Sequence, residues 1–304
     1  AYNPILMLFA GSGLFRLADT SRQNIDDFYA EAEPWLVDRQ TKSDKPQNHI
    51  HDSKARYDIV FDKVCFQYPG SDAGVSNISF TAKNGKLTAI VGPSGAGKST
   101  LFHLLSRFWQ VQSGSIQIGD IDIYDIPESI VSKTMSQVSQ DVVLINDSLR
   151  NNVTLGIQDY SDEAVIKALT LANMTNLLRR LPEGLESKLG EGGAQLSGGE
   201  KQRITIARAL LRDSPIVMLD EAMSSIDPTN AREIQQSIME LSRGKTLIVI
   251  AHRLSSIIGA DNIIVMDKGE IQALGTHEQL LKTSPLYQTL WKEHCSAKSW
   301  TIVE

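Results

Sequence analysis

Cysteine, positive charge and long apolar runs are all scarce in this sequence. Cys65 and Cys295 are the only cysteines in 304 residues, which excludes a disulfide scaffold and fits a reducing compartment. Lys and Arg number 30 against 36 Asp and Glu, a formal net charge of −6. No basic surplus points to nucleic acid, and none is expected as a partner, although a global sum leaves a local patch open. No stretch reaches the roughly 20 apolar residues of a membrane helix, so by itself the sequence reads as a soluble chain. What is present is ordinary: 41% hydrophobic and 22% charged residues exclude disordered, collagen-like and low-complexity classes. The length suits one or two domains.

The chain opens on Ala1, not Met, and runs directly into Ile5-Leu6-Met7-Leu8-Phe9-Ala10 and then Gly11 to Phe15. No basic region precedes this run and no cleavage site follows it, so it does not read as a secretory signal. Leu14, Ala18, Ser21, Ile25, Phe28, Ala32 and Trp35 follow at three- and four-residue spacing, a helical stripe apart from Ser21. Either this helix packs on the rest of the protein, or it is a membrane helix emerging into water. Asp38 to Asn48 holds no aromatic or aliphatic residue and is expected to be a linker over 38–56. His49 and His51 lie in that linker without further ligands and are read as solvated, not as a metal site.

From Tyr57 onward the pattern becomes compact. Ile59-Val60-Phe61 and Val64-Cys65-Phe66 predict two short strands, and Pro69-Gly70-Ser71-Asp72 a turn. Leu87 to Val91, Ile216 to Leu219 and Thr246 to Ile250 are continuous apolar runs, as expected of strands buried on both faces of a parallel sheet. Gly119-Asp120 marks a hairpin, Asp267-Lys268-Gly269-Glu270 another, and residues 161–180 read as helical. Strands alternating with helices predict an α/β core with a parallel sheet.

Gly92-Pro93-Ser94-Gly95-Ala96-Gly97-Lys98-Ser99 fits the phosphate-loop pattern G-x-x-x-x-G-K-[ST] without mismatch. Glycines let backbone N–H groups converge on phosphate oxygens, and the loop opens a helix, expected over Lys98 to Trp109, whose N-terminus favours anions. Lys98 is expected to reach the terminal phosphates and the Ser99 hydroxyl to ligate Mg²⁺; Thr100 completes the nucleotide-binding set. A chance glycine loop is the plain alternative, but a buried strand before the loop and an apolar helix after it argue against chance. Ile216-Val217-Met218-Leu219-Asp220-Glu221 supplies the second half, an apolar strand ending in carboxylates. Asp220 suits Mg²⁺, and Glu221 is free to polarise a water; a capping pair after a core strand is the commoner reading of Asp-Glu in isolation.

Leu196-Ser197-Gly198-Gly199-Glu200-Lys201-Gln202-Arg203, lying between these two motifs, resembles the signature of ABC ATPases, and the resemblance covers about residues 57–290. It implies a P-loop NTPase fold (RecA-like): a parallel-sheet core with an antiparallel β subdomain and an α-helical signature subdomain. It further implies that Ser197, Gly198 and Gly199 face the ATP of an opposing subunit, so that a second ABC ATPase subunit is a partner, in a homo- or heterodimer. Tyr68 resembles the adenine-stacking residue, though it also reads as a strand-end aromatic. Gln140 is similar to the Q-loop glutamine that senses Mg²⁺ and contacts the transport machinery. Asp227, in Ser224-Ser225-Ile226-Asp227, resembles the D-loop, and His252 the switch histidine. Glu221, His252, Lys98 and Gln140 are thus the expected catalytic set; Ser99, Gln140 and Asp220 the metal set; ATP and Mg²⁺ the cofactors.

Leu189-Gly190-Glu191-Gly192-Gly193, with Gly where an Arg is usual, and Gly275-Thr276-His277-Glu278 resemble exporter-type subunits. The resemblance implies that residues 1–37 are the end of a last transmembrane helix, residues 57–304 the ATP-binding domain, and that a transmembrane domain belongs to the same longer polypeptide. The ATPase is then expected on the cytoplasmic side of the cell (inner) membrane. An exporter-fold importer, as in siderophore uptake, and a soluble non-transport ABC ATPase are the alternatives.

Overall fold

The computed structural model describes residues 56–139, 142–220, 228–251 and 254–299. Three bodies of structure follow from three patterns in the sequence. The first is an antiparallel sheet. Strand β1 (Ile59–Gln67) lies between β2 (Gly74–Ala82) and β4 (Ser113–Ile118), with the short β5 (Ile121–Asp122) beyond β4. The two runs expected as separate strands, 59–61 and 64–66, are one strand. A bulge interrupts its register after Phe61, where Lys63 adopts φ 49°. The bulge adds an unpaired residue and bends the strand without ending it. Phe61 pairs with Phe80 across the sheet, rings stacked at 4.6 Å.

The second body is a six-stranded sheet in the order β10-β9-β3-β8-β7-β6. Its members are β3 (Leu87–Val91), β6 (Met135–Val138), β7 (Ile216–Asp220), β8 (Thr246–Ile250), β9 (Asn262–Asp267) and β10 (Glu270–Gly275). All neighbours are parallel except the β9–β10 hairpin. The three apolar runs predicted as buried strands are β3, β7 and β8. Helix α1 (Lys98–Leu105) lies between this sheet and the antiparallel one. Phe102, Leu101 and Leu105 share a single buried cluster with Ile116 of β4 and Ile250 of β8. The helix is shorter than the expected 98–109, because Arg107 turns left-handed at φ 59°. Such a residue closes a helix rather than extending it.

The third body is helical. It follows α2 (Glu128–Thr134) and comprises α3 (Leu149–Thr154), α4 (Asp162–Leu171), α5 (Thr175–Arg180) and α6 (Gly198–Arg212). The run expected to be helical over 161–180 holds two helices, separated where Asn173 takes φ 57°. Leu149, Val165, Leu169, Leu177 and Ile204 form its own core. Helix α6 joins the bodies: Ile204 and Ala207 face the helical core, while Ile206 and Ala209 pack with β7 and with α7 (Pro228–Ser242). Two C-terminal helices, α8 (His277–Thr283) and α9 (Pro285–Ser299), cover the opposite face of β3 and β9, where the Tyr287 ring is fully buried. The fold is the expected one: a parallel core, an antiparallel β part and a helical part. No helix among the described residues is long and apolar enough to cross a membrane.

Candidate functional site

The parallel register decides where the chemistry collects. Ile90 of β3 pairs with Ile250 of β8, Ile250 with Asp220 of β7, and Leu219 with Val138 of β6. The C-terminal ends of four strands therefore form one edge, the edge at which α/β sheets bind ligands. The loop from Gly92 leaves β3 there. Asp220 ends β7 two strands away, about 10 Å at the spacing of paired strands. Gln140, Glu221, Asp227 and His252 lie outside the described residues.

The phosphate loop is built from beneath. A Cβ on Gly92 would meet the Met266 carbonyl oxygen of β9 at 2.1 Å, and one on Gly97 would meet Val75 Cγ1 of β2 at 2.8 Å. These two glycines seat the loop on its neighbours. Gly95 differs: it is exposed at φ 77° with nothing within 4 Å of its Cβ position, so there the glycine serves backbone conformation on the open side. The turn between β9 and β10 closes the support. Gly269 donates its N–H to the Ala96 carbonyl (3.2 Å) and accepts from Ser76 N–H (2.8 Å), and a Cβ at Gly269 would meet the Gly74 oxygen at 2.8 Å. Gly74 and Gly269 are thus part of the site's foundation, although sequence reasoning assigned them no role; their signal is a glycine at a strand start and one in a hairpin turn.

Gly97 caps α1 in the left-handed region. The Lys98 side chain folds back into the loop and donates to the Gly92 and Pro93 carbonyl oxygens at 2.9 and 2.8 Å. Ser94 and Ser99 are exposed beside it, whereas Ala96 and Thr100 are buried. This is a cradle that fits phosphates: bare backbone on the open side, a helix N-terminus and one ammonium group. Ser99 and Asp220 offer the hard oxygen donors that Mg²⁺ takes.

Tyr68 follows directly on β1 and is partly buried. Its ring meets Phe66 and Trp109 edge-to-face at 4.9 and 5.4 Å. Its hydroxyl lies 2.8 Å from His103 Nδ1 and 3.4 Å from Thr100 Oγ1, both on α1.

The signature segment opens α6. Ser197 is the N-cap: its hydroxyl accepts from Glu200 N–H, and the Glu200 carboxylate accepts from Ser197 N–H at 2.9 Å, a complete capping box. Arg180 of α5 pairs with the same carboxylate at 2.9 Å. Burial pushes the Glu200 carboxyl upward, but the Ser197 hydrogen bonds and Arg180 outweigh it and hold the group below its usual range. Ser197 and Gly198 stay exposed, with open space around Gly198; Gly199 is buried. Just upstream, Gly192 is exposed at φ 55°. Gln202, one turn into α6 and buried, donates its amide to the Ser139 carbonyl at 3.3 Å. The sequence offered no signal for that link, because it joins residues 63 positions apart.

Comparison with known proteins finds similar chains. The family model described as ABC transporter matches residues 75–224. The ATP-dependent lipid A-core flippase of Idiomarina loihiensis is 44% identical over 254 residues, which cover 83% of this chain and 43% of that protein. The protein of the same description from Methylobacillus flagellatus is 41% identical over 249 residues, 81% and 43% of the two chains. A solved structure of a bacterial Atm1-family ABC exporter with ATP bound aligns with a TM-score of 0.74 at 35% identity, covering 92% of this chain and 49% of that one. The chain spans less than half the length of these relatives.

Proposed function

We propose, on the premise that this chain belongs to the ABC transporter family, that it binds and hydrolyses ATP to drive export across a membrane. The observation that carries the reading is the shared strand edge, where the pairing of β3, β8 and β7 sets the Gly92–Ser99 loop and Asp220 two strands apart. The β- and γ-phosphates would lie over the loop, with Lys98 turning from its two carbonyl partners to the phosphate oxygens. Ser99 and Asp220 would hold Mg²⁺, which when bound neutralises charge between the β- and γ-phosphates. Glu221, one residue beyond Asp220, would accept the proton of an attacking water, and His252 would fix its orientation. Gln140 would complete the catalytic set and contact the ion. Tyr68 would carry the adenine.

Ser197, Gly198 and Gly199 would close the site from a second ATPase subunit, with Asp227 at the same junction. The exposed Ser197–Gly198 corner at the head of a 15-residue helix supports this reading, since free N–H groups there suit a phosphate. ATP would then act as the glue of a dimer, and its hydrolysis would release it. Resemblance to flippases and to an Atm1-family exporter supports export rather than import. In the longer protein, residues 1–37 would be the end of a transmembrane helix, 38–56 a linker and 57–304 the ATPase, on the cytoplasmic side of the membrane. Exposed Val143 and Ile145, shortly after Gln140, would meet the membrane part; cargo would be selected by the membrane helices.

Phosphate release from Mg·ATP by the purified chain tests the reading. Turnover should be measurable and should vanish in Lys98→Ala. A chain that folds and releases no phosphate at millimolar ATP, or a Lys98→Ala chain as active as the parent, would overturn it.

A further inference from the structure

We propose that His103 is a positioning residue for the nucleobase: it holds the Tyr68 ring in place from the same helix whose N-terminus receives the phosphates. The proposal rests on the reading of Tyr68 as the adenine platform and extends it to a residue that no motif contains.

Tyr68 lies just past the end of β1, on a loop, where a side chain would ordinarily be free to swing. Four contacts stop it. Phe66 and Trp109 set their rings nearly perpendicular to it, at 85° and 88°, which limits sideways movement. Apolar edges do not fix how far a phenol reaches, however. That is set at the hydroxyl, 2.8 Å from His103 Nδ1; the Thr100 contact at 3.4 Å is longer and weaker. Thr100 and His103 are three residues apart on α1 and therefore share a face.

The arrangement has a consequence for ATP as a whole molecule. Lys98 and Ser99 occupy the first turn of α1, and His103 lies just over one turn further on. One rigid helix thus carries both the phosphate end of the site and the anchor of its base end. The separation between the two is set by helix rise, about 1.5 Å per residue, and not by the loop bearing Tyr68. A platform fixed before the base arrives loses less freedom on binding.

Two ligands separate this role from a general structural one: Mg·ATP, and Mg·tripolyphosphate, which has the phosphates and lacks the base. Dissociation constants would be measured calorimetrically for the 304-residue chain and its variants. His103→Ala should weaken ATP about three- to tenfold, the scale of one net hydrogen bond, and leave tripolyphosphate unchanged. His103→Asn, which keeps a hydrogen-bonding atom at the δ position, should restore ATP affinity, while His103→Phe should not. Unchanged ATP affinity in His103→Ala overturns the proposal, as does equal weakening of both ligands. Tyr68→Ala serves as the reference. If it weakens ATP and His103→Ala does not, only the role of His103 falls; if it leaves ATP binding unchanged, the platform reading falls with it.

Discussion

Gln202 of the signature helix donates its side-chain amide to the carbonyl of Ser139, the residue immediately before Gln140. The bond joins the helical body to the segment that follows β6 at the ligand edge. Gln202 is buried, so its amide has no ready substitute in water. Gln202→Leu keeps the volume and removes the donor. It should cost about 1 kcal/mol of stability, read as a fall of a few degrees in Tm, and should lower kcat for ATP more than it changes KM. A variant with both kinetic constants at parental values would show that the bond is only structural.

A second expectation concerns acid. The folded-state pKa of Glu200 lies below its usual value, so ionisation stabilises the native state. That contribution is complete above the unfolded value of about 4.3 and is lost as pH falls through the lower folded value. Glu200→Gln keeps an acceptor for the Ser197 N–H and cannot titrate. Denaturant titrations between pH 6 and pH 3 should therefore show a shallower loss of stability for Glu200→Gln than for the parent. At neutral pH, loss of the cap itself in Ser197→Ala should cost about 0.5–2 kcal/mol.

The glycines of the phosphate loop should respond unequally to the same substitution. Gly92→Ala forces a methyl group to within 2.1 Å of a backbone oxygen on β9, which cannot rotate away. It should destabilise the fold by about 1–3 kcal/mol or more and abolish ATP binding. Gly95→Ala meets no protein atom within 4 Å, so its cost to the fold is that of its left-handed backbone alone, about 1–2 kcal/mol. Paired thermal melts and ATP titrations distinguish the two. Equal effects would contradict the division into a packed side and an open side.

The sequence made the phosphate loop, the Asp220 strand and the signature helix visible, because each couples a special residue pattern to a buried run. What it hid has physical causes. The bulge at Lys63 breaks the alternation of β1 while the strand continues, so one strand read as two. Asn173 and Arg107 turn left-handed without the glycine that usually announces such a turn, so the sequence does not mark where their helices stop. Strand β6 has only four residues, and its Ser136 is buried through a hydroxyl bond to Ser214; a polar pair of that kind leaves no hydrophobic signature. His103 meets Tyr68 and Gln202 meets Ser139 across long stretches of chain, contacts that no local pattern encodes.

In the proposed cycle ATP binds, joins two subunits and is hydrolysed with Glu221 as the base. Glu221→Gln tests it most directly, because it removes the base and leaves Lys98 and the loop intact. Phosphate release and sedimentation would be measured on the same sample with Mg·ATP. The variant should bind ATP and accumulate as a dimer while phosphate release falls about 100-fold or more, the usual scale of general-base catalysis. Phosphate release at the parental rate would remove Glu221 from the role of base, and a chain that remains monomeric with ATP bound would remove ATP from the role of joining two subunits.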